Sequence, residues 1–356
     1  MGKVHIDLNQ KTILVTGSPG FIGANLVLRL LKELSGGTVI SFDNMNDYYD
    51  PALKEYRLNL IEEAAKGSFA RHVFIRGSIA DKTLVDHVFA EYKPAIVVNL
   101  AAQVGVRYSI DHPDVYIESN LIGFYNILEA CRHSYDNGAP GVKHLVYASS
   151  SSVYGGSRKV PFSTDDKADA PVSLYAATKK SNELLAHSYS KLYSIPSTGL
   201  RFFTVYGPAG RPDMFYFSAT QKLAAGEKIQ IFNYGNCRRD FTYVDDIVEG
   251  VIRVMQGAPE RAAGEDGLPL PPLRGLQHRR RHTGEPFGFY FRVAGGTGPR
   301  RRPSSGLRFY RSSGARSHAA RRRPHHLCRQ RRSRSRLRLP SCDRDSGGAS
   351  QICGVV

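Results

Sequence analysis

The 356-residue chain has no tryptophan and only 5 cysteines and 4 methionines. Of the cysteines, only Cys131 and Cys237 precede Leu273. That excludes a disulfide framework for the longer part and fits a reducing compartment. No apolar stretch approaches the roughly 18 residues that a membrane-spanning helix needs. Met1-Gly2-Lys3-Val4-His5-Ile6-Asp7 lacks a signal-peptide core, and there is no internal repeat. The expectation is a cytoplasmic protein with no membrane partner. Lysine is absent from Leu273 onward and acids nearly so: those 84 residues hold 21 Arg, no Lys and 3 acids, a net of +18. Met1 to Pro272 holds 28 basic and 29 acidic residues, a net of −1. The whole-chain charge of +17 and pI of about 9.7 would alone suggest nucleic acid. Their confinement to one end removes that inference, and no nucleic-acid partner is expected.

What the longer part does contain is an alternation of β-branched runs and helical patterns. Thr12-Ile13-Leu14-Val15-Thr16 reads as a buried parallel strand. Gly17-Ser18-Pro19-Gly20-Phe21-Ile22-Gly23 follows at once, and Asn25 to Leu31 reads as a helix. A glycine triplet alone is weak, but strand, glycine turn and helix in this order describe a dinucleotide site. Gly17 permits the tight turn, Gly20 lets backbone approach a pyrophosphate at the helix N-terminus, and Gly23 allows close helix–strand packing. A second strand, Thr38 to Phe42, ends at Asp43, twenty residues beyond Gly23. An acid there binds ribose hydroxyls and repels a 2′-phosphate, so NAD is expected rather than NADP. Strands near Val73-Phe74-Ile75 and Ala95 to Val98 continue the pattern, and Asp111 to Cys131 reads as one long helix.

A further strand, Leu145 to Ala148, delivers Ser149-Ser150-Ser151-Ser152 at its C-terminal end, where ligand chemistry in open α/β sheets collects. Some of these serines serve only the turn. Tyr175 to Tyr193 reads as one helix, which puts Tyr175 and Lys179 one turn apart on the same face. Such a pair is commonly a mere surface feature. Behind a glycine loop it suggests a base, with the Lys179 ammonium lowering the Tyr175 phenol from its usual value of about 10.

These residues resemble the extended short-chain dehydrogenase/reductase (NAD-dependent epimerase/dehydratase) superfamily, and within it the UDP-glucuronate 4-epimerases. The resemblance runs from about Lys11 to about Gly257. It rests on T-G-S-P-G-F-I-G at Thr16 to Gly23, D-N-M-N-D-Y-Y-D at Asp43 to Asp50 and N-L-A-A-Q-V-G-V-R-Y-S at Asn99 to Ser109. It rests further on S-S-V-Y-G at Ser151 to Gly155, Y-A-A-T-K at Tyr175 to Lys179, R-F-F-T-V-Y-G-P at Arg201 to Pro208, G-R-P-D-M at Gly210 to Met214 and R-D-F-T-Y-V-D-D at Arg239 to Asp246. The resemblance implies an α/β fold: a Rossmann-like doubly wound parallel sheet with a smaller, incomplete C-terminal substrate lobe. Residues 1–200 are expected to form the NAD-binding domain. Residues 201–272 would start the UDP-sugar lobe, with elements returning to the first domain, and 273–356 would be the Arg-rich tail.

For the site, the resemblance implies Ser150, Tyr175 and Lys179 as the catalytic group. NAD would contact Gly17, Gly20, Phe21, Ile22, Gly23, Asp43, Asn44, Ala101, Ala102 and Gln103, along with Tyr175 and Lys179. The sugar nucleotide would contact Ser151, Ser152, Thr204, Arg211 and Arg239. Thr204 and Arg211 would hold the sugar carboxylate and Arg239 the phosphates; no metal is implied. The implied reaction removes the C4 hydrogen of UDP-glucuronate as hydride, turns the 4-keto sugar over and returns the hydride to the other face, giving UDP-galacturonate. The carboxylate must be fixed, because a β-keto acid readily loses CO₂. The helix around Asp111 to Cys131 and the Tyr175 helix would pair across a homodimer. Three departures stand out. Ser78 occupies a position usually held by an adenine-binding Asp, Ala209 replaces a usual aromatic, and Cys237 differs from the commoner residue near the nucleotide. Other readings stay open: a UDP-galactose 4-epimerase, a UDP-glucuronate decarboxylase, or a non-enzymatic dinucleotide-binding remnant with a basic arm.

From Leu273 the chain sustains neither helical nor strand periodicity and suggests poor order. Arginine without lysine is what GC-rich DNA gives when read one base out. Skipping one base at Leu273 permits Y-A-V-Y-N-I-G-G-G-T-P-E-N. Further on it permits the amphipathic L-L-D-F-I-S-V-L-Q-E-E-L-V, then M-Q-P-G-D-V-P-I-T-Y-A-D, then K-F-A-E-W-Y. In order and spacing these look like the lobe that the family would carry here, so a shifted frame fits better than an RNA-binding arm.

Overall fold

The computed structural model describes residues 3–157, 159, 161–230, 239–263, 269–270 and 273–277. Near the start, β1 (Lys3–His5) leads to β2 (Thr12–Thr16), α1 (Phe21–Glu33), β3 (Thr38–Asp43), α2 (Pro51–Lys66), β4 (Arg71–Arg76), α3 (Lys82–Tyr92) and β5 (Ile96–Asn99). Two short helices, α4 (Tyr108–Asp111) and α5 (Pro113–Tyr116), run into a π-helical turn, Ile117–Ile122, and then α6 (Gly123–His133). The second half contains β6 (His144–Ser150), α7 (Leu174–Tyr193), β7 (Ser197–Phe202), β8 (Thr204–Tyr206), α8 (Phe215–Ala224), β9 (Phe241–Tyr243) and α9 (Val244–Met255). Short strands close the described chain: β10 (Gly257–Pro259), β11 (Ala262–Ala263), β12 (Pro269–Leu270) and β13 (Leu273–Gln277).

The central sheet has seven parallel strands in the order β13-β7-β6-β5-β2-β3-β4. This is the Rossmann-like doubly wound sheet that the alternating pattern predicts. Its order reverses between β2 and β5, and ligands of open α/β sheets bind in the crevice at such a point. Both faces of the sheet are covered, so the strands are near-continuous apolar runs. Ile13, Val15, Val39, Ile96, Val98 and Val146 face α1 and α9 in one core. Their neighbours Leu14, Ile40, Phe42, Val97, Leu145 and Tyr147 face the second core with α3 and α6. Period-two alternation thus assigns one strand to two cores.

Local chemistry fixes the helix ends. Asp50 caps α2 by accepting from the Ala52 N–H, with Pro51 pre-set for the first turn, and Asp81 caps α3 through the Leu84 N–H. Ser173 caps α7 through the Ala176 N–H at 3.1 Å. The helix expected as one piece over Asp111 to Cys131 is broken instead. His112 leaves helical geometry ahead of Pro113, which disfavours the α conformation in the residue before it. The π turn then widens the helix where Asn120 reaches Thr178 of α7. A second difference lies at the C-terminal side. The stretch expected to lack regular structure from Leu273 begins with β13, which pairs in parallel with β7 at the sheet edge. Ladder bonds come from backbone groups, and five residues are too few for a side-chain period to register. The rest of the Arg-rich stretch, 278–356, and Cys237 lie outside the described residues.

Candidate functional site

One cleft opens over the C-terminal ends of β2, β3, β5 and β6. Its first wall is backbone. Gly17 has φ +72, and a Cβ there would stand 2.7 Å from the Ala101 nitrogen across the strand-order reversal. A Cβ on Gly23 would lie 2.3 Å from the Gly17 carbonyl oxygen and one on Gly20 2.8 Å from it. Helix α1 starts at Gly20 with no side-chain cap, so its first N–H groups are left for a ligand. A cradle that any Cβ would fill, opening on an uncapped helix start, fits a dinucleotide. Gly17, Gly20, Phe21, Ile22, Gly23, Asp43 and Asn44 all line the cleft. So do Ala101, Ala102 and Gln103.

Asp43 ends β3 and is 8% exposed. Its carboxylate accepts the Met45 N–H at 2.7 Å and pairs with the buried Lys54 ammonium at 3.3 Å. Lys54 also donates to Asn46 Oδ1 at 2.7 Å. The Ala101–Gln103 segment is pinned at both ends. Thr16 Oγ1 donates to Asn99 and accepts the Ala101 N–H at 3.1 Å, while Asn120 accepts the Gln103 N–H at 2.8 Å and donates to its carbonyl at 3.0 Å. Asn120 sits in the π turn and also reaches Thr178 of α7 at 3.1 Å. Ser78, at the expected adenine end, lines the cleft beside Gly77 and Ile79.

The second wall is made of side chains. Ser150, Tyr175, Lys179 and Arg211 line the same cleft. Lys179 is 3% exposed and donates to the Ala148 carbonyl at 2.9 Å, and burial lowers its pKa to about 8. The expectation that Lys179 depresses Tyr175 is not met. Burial raises the Tyr175 phenol above its usual 10; the Ser150 hydrogen bond and the Arg211 charge oppose that rise. Below this group, Glu183 accepts from Ser149 at 2.7 Å and from Arg201 at 2.8 Å, which braces the end of β6.

Arg211 is held in a two-pronged bond with Asp213, 3.0 Å from Nε and 2.5 Å from Nη2, and the Tyr48 hydroxyl donates to the same carboxylate at 3.2 Å. Four residues expected at the sugar do not line the cleft among the described residues. Ser151 and Ser152 belong to the turn after β6, where the Ser152 N–H donates to Ser150 Oγ at 3.1 Å. Thr204 opens β8, with its N–H on the Asp240 carbonyl at 3.1 Å, and Arg239 is exposed just before β9. Lys54, Asn120 and Asp213 were not foreseen as site residues. Asp213 lies inside the quoted G-R-P-D-M motif and could have been found there. Lys54 and Asn120 show no signal, because only folding brings them to Asp43 and Gln103.

No group of three or more His, Cys, Asp or Glu among the described residues could hold a metal ion, and no helix there is long and apolar enough to cross a membrane. A family model described as "NAD dependent epimerase/dehydratase family" matches residues 13–266. Protein CapI of Staphylococcus aureus is 52% identical over 244 residues, 68% of this chain and 69% of that protein. UDP-glucuronate 4-epimerase 4 of Arabidopsis thaliana is 47% identical over 269 residues, 75% of this chain but 58% of that protein. Among solved structures, the UDP-glucuronic acid 4-epimerase of Bacillus cereus in complex with UDP-glucuronic acid and NAD superposes with a TM-score of 0.63 at 31% identity, covering 75% of this chain and 76% of that one.

Proposed function

The chain belongs to the NAD dependent epimerase/dehydratase family, and from that premise we propose that it is a nucleotide-sugar 4-epimerase acting on UDP-glucuronate to give UDP-galacturonate. The observation that carries this reading is the meeting of a dinucleotide cradle, the Ser150–Tyr175–Lys179 group and the Arg211 guanidinium in one cleft. NAD, when bound, would accept a hydride from the sugar and return it, with no net redox change. Gly17, Gly20 and the start of α1 would hold its diphosphate, and Asp43 its ribose hydroxyls.

Tyr175 takes the proton of the sugar 4-hydroxyl and later returns it, while Ser150 holds the same oxygen by a hydrogen bond. The raised phenol means that Tyr175 holds its proton firmly. Ionisation needs added positive charge, which Arg211 supplies in part. Arg211 and Thr204 fix the carboxylate so that its C–C bond stays out of line with the ketone π-system, which holds back CO₂ loss. Arg239 meets the UDP phosphates. Thr204 and Arg239 lie outside the cleft lining, so their roles require the sugar side to close around substrate.

Residues 273–356 are best explained as a shifted reading frame of the lobe that would complete that side. The test is to express the chain as written and a version with one base removed at the Leu273 codon, then separate UDP-uronates by chromatography. The expected result is efficient UDP-galacturonate formation by the second version only. Full activity of the written chain would overturn the frame reading. A product lighter by CO₂ would make the enzyme a decarboxylase, a preference for UDP-glucose would make it a galactose epimerase, and NAD retention without turnover in either version would leave a binding remnant. A homodimer in the cytoplasm completes the proposal. Ile117, Ile122 and Tyr125 on one helix and Leu184, Leu192 and Tyr193 on α7 are 38–69% exposed, an apolar surface of the kind that a second copy would cover.

A further inference from the structure

Arg57, on α2, is 1% exposed, among the largest fully buried side chains. Its bonds reach three separate segments. Nη1 donates to the Pro19 carbonyl inside the glycine loop at 3.1 Å and to the Tyr49 hydroxyl at 2.7 Å. Nε and Nη2 both donate to the Ala209 carbonyl, at 3.1 and 2.6 Å, and Nη2 reaches the Gly210 carbonyl at 3.3 Å. The Tyr49 ring lies 5.5 Å from the guanidinium carbon. None of these acceptors is a carboxylate, so carbonyl dipoles and the Tyr49 hydroxyl and ring replace the water that the charge has lost.

The receiving loop needs such a brace. Ala209 sits at φ +51, a left-handed conformation that disfavours a side chain. Ala209 offers one methyl, and the Arg57 guanidinium holds the loop by its carbonyls. Gly210 and Arg211 follow directly, and Arg211 carries the guanidinium assigned above to the sugar carboxylate. One rigid planar fork therefore ties the turn that faces a diphosphate to the turn that aims a guanidinium. Lysine could not reproduce it, since a single ammonium cannot serve carbonyls on both sides in fixed geometry.

We infer that Arg57 is a positioning residue that makes the glycine loop and the Ala209–Arg211 turn one mechanical unit, so that a dinucleotide bound at the first orders the second. This rests on the reading of the glycine loop as the NAD site, and it makes cofactor occupancy a condition for anion selection. The full chain serves for the test, with NAD as the probe. Hydrogen exchange is followed in peptides covering residues 205–214, with and without NAD, in the parent, Arg57→Lys and Arg57→Met; NAD binding is measured separately by calorimetry. In the parent, NAD slows exchange of the 205–214 peptides several-fold. In both variants, exchange there is several-fold faster without ligand, and NAD binds without slowing it, while exchange of β2, β3 and β5 stays as in the parent. NAD binding to the parent without protection of 205–214 would overturn the coupling alone, as would variants that keep the protection. A parent that does not bind NAD would overturn the dinucleotide reading and the coupling with it. Loss of protection throughout the sheet in Arg57→Met together with ligand-linked protection kept in Arg57→Lys would make Arg57 a packing residue and overturn the inference.

Discussion

The two walls of the cleft are built by different means. The dinucleotide wall is backbone: three glycines whose Cβ atoms would collide with carbonyl and amide groups, and a helix start left uncapped. The opposite wall is side chains whose charge states depend on neighbours. Lys179 is lowered by burial, Tyr175 is raised by it, and Arg211 is already engaged by Asp213. The first wall can fail only by sterics. The second can fail by one proton or one rotamer, and it depends on contacts between groups 31 to 165 residues apart. On the proposed reading, recognition of the cofactor rests on rigid geometry and discrimination among sugars on adjustable electrostatics.

The sharpest separation of the walls comes from Tyr175→Phe in the frame-restored protein. Losing the hydroxyl but not the ring should cost turnover at least about 100-fold, as a lost general base does, and leave the NAD content unchanged. Activity within tenfold of the parent would refute the assignment. Gly17→Ala should do the reverse. At φ +72, a Cβ 2.7 Å from the Ala101 nitrogen must displace backbone. NAD binding should be lost and the protein destabilised by about 2 kcal/mol or more, since a left-handed residue alone costs roughly 1–2 kcal/mol. Unaltered NAD binding in calorimetry would show that the cradle is not the cofactor site.

Arg211→Ala tests whether the side-chain wall selects charge. Affinity for UDP-glucuronate should fall by about 1.5–3 kcal/mol, the range for a hydrogen bond to a charged group, with UDP-glucose little affected. Equal losses for the two would make Arg211 a general loop residue. The smallest effect concerns Lys179, whose folded pKa of about 8 lies below its ordinary 10.5. Between these values the unfolded chain binds more protons, so stability rises with pH from about 8 to 10.5, and the cost of the buried charge is fully present below 8. Urea unfolding at pH 7 and pH 9 should show a gain of about 1 kcal/mol in the parent that Lys179→Met lacks. A variant with the same pH slope would mean that Lys179 is not held in a charge-disfavouring site.

Both walls were legible in the sequence to different depths. The glycine loop, Asp43 and the Tyr175–Lys179 pair are local patterns. Each is completed within one strand–turn–helix or one helical turn, so spacing alone locates them. The expected lowering of the Tyr175 phenol is reversed, because burial depends on what packs over the ring and not on the residue four places along. The long helix over Asp111 to Cys131 broke at His112–Pro113, which the proline already signalled. Its π turn, which hands Asn120 to Gln103, carries no signal of its own.

What the sequence determined by itself is the period of its strands, the chirality-driven need for glycine at Gly17, the caps of α2, α3 and α7, and the segregation of positive charge beyond Leu273. These depend on neighbours along the chain. The tertiary structure alone decided which distant groups meet: Lys54 with Asp43, Tyr48 with Asp213, Arg57 between Pro19 and Ala209, and β13 beside β7. Each of these contacts depends on where whole elements come to rest. That is fixed by burial of the two apolar faces of one sheet, and no local pattern reports it.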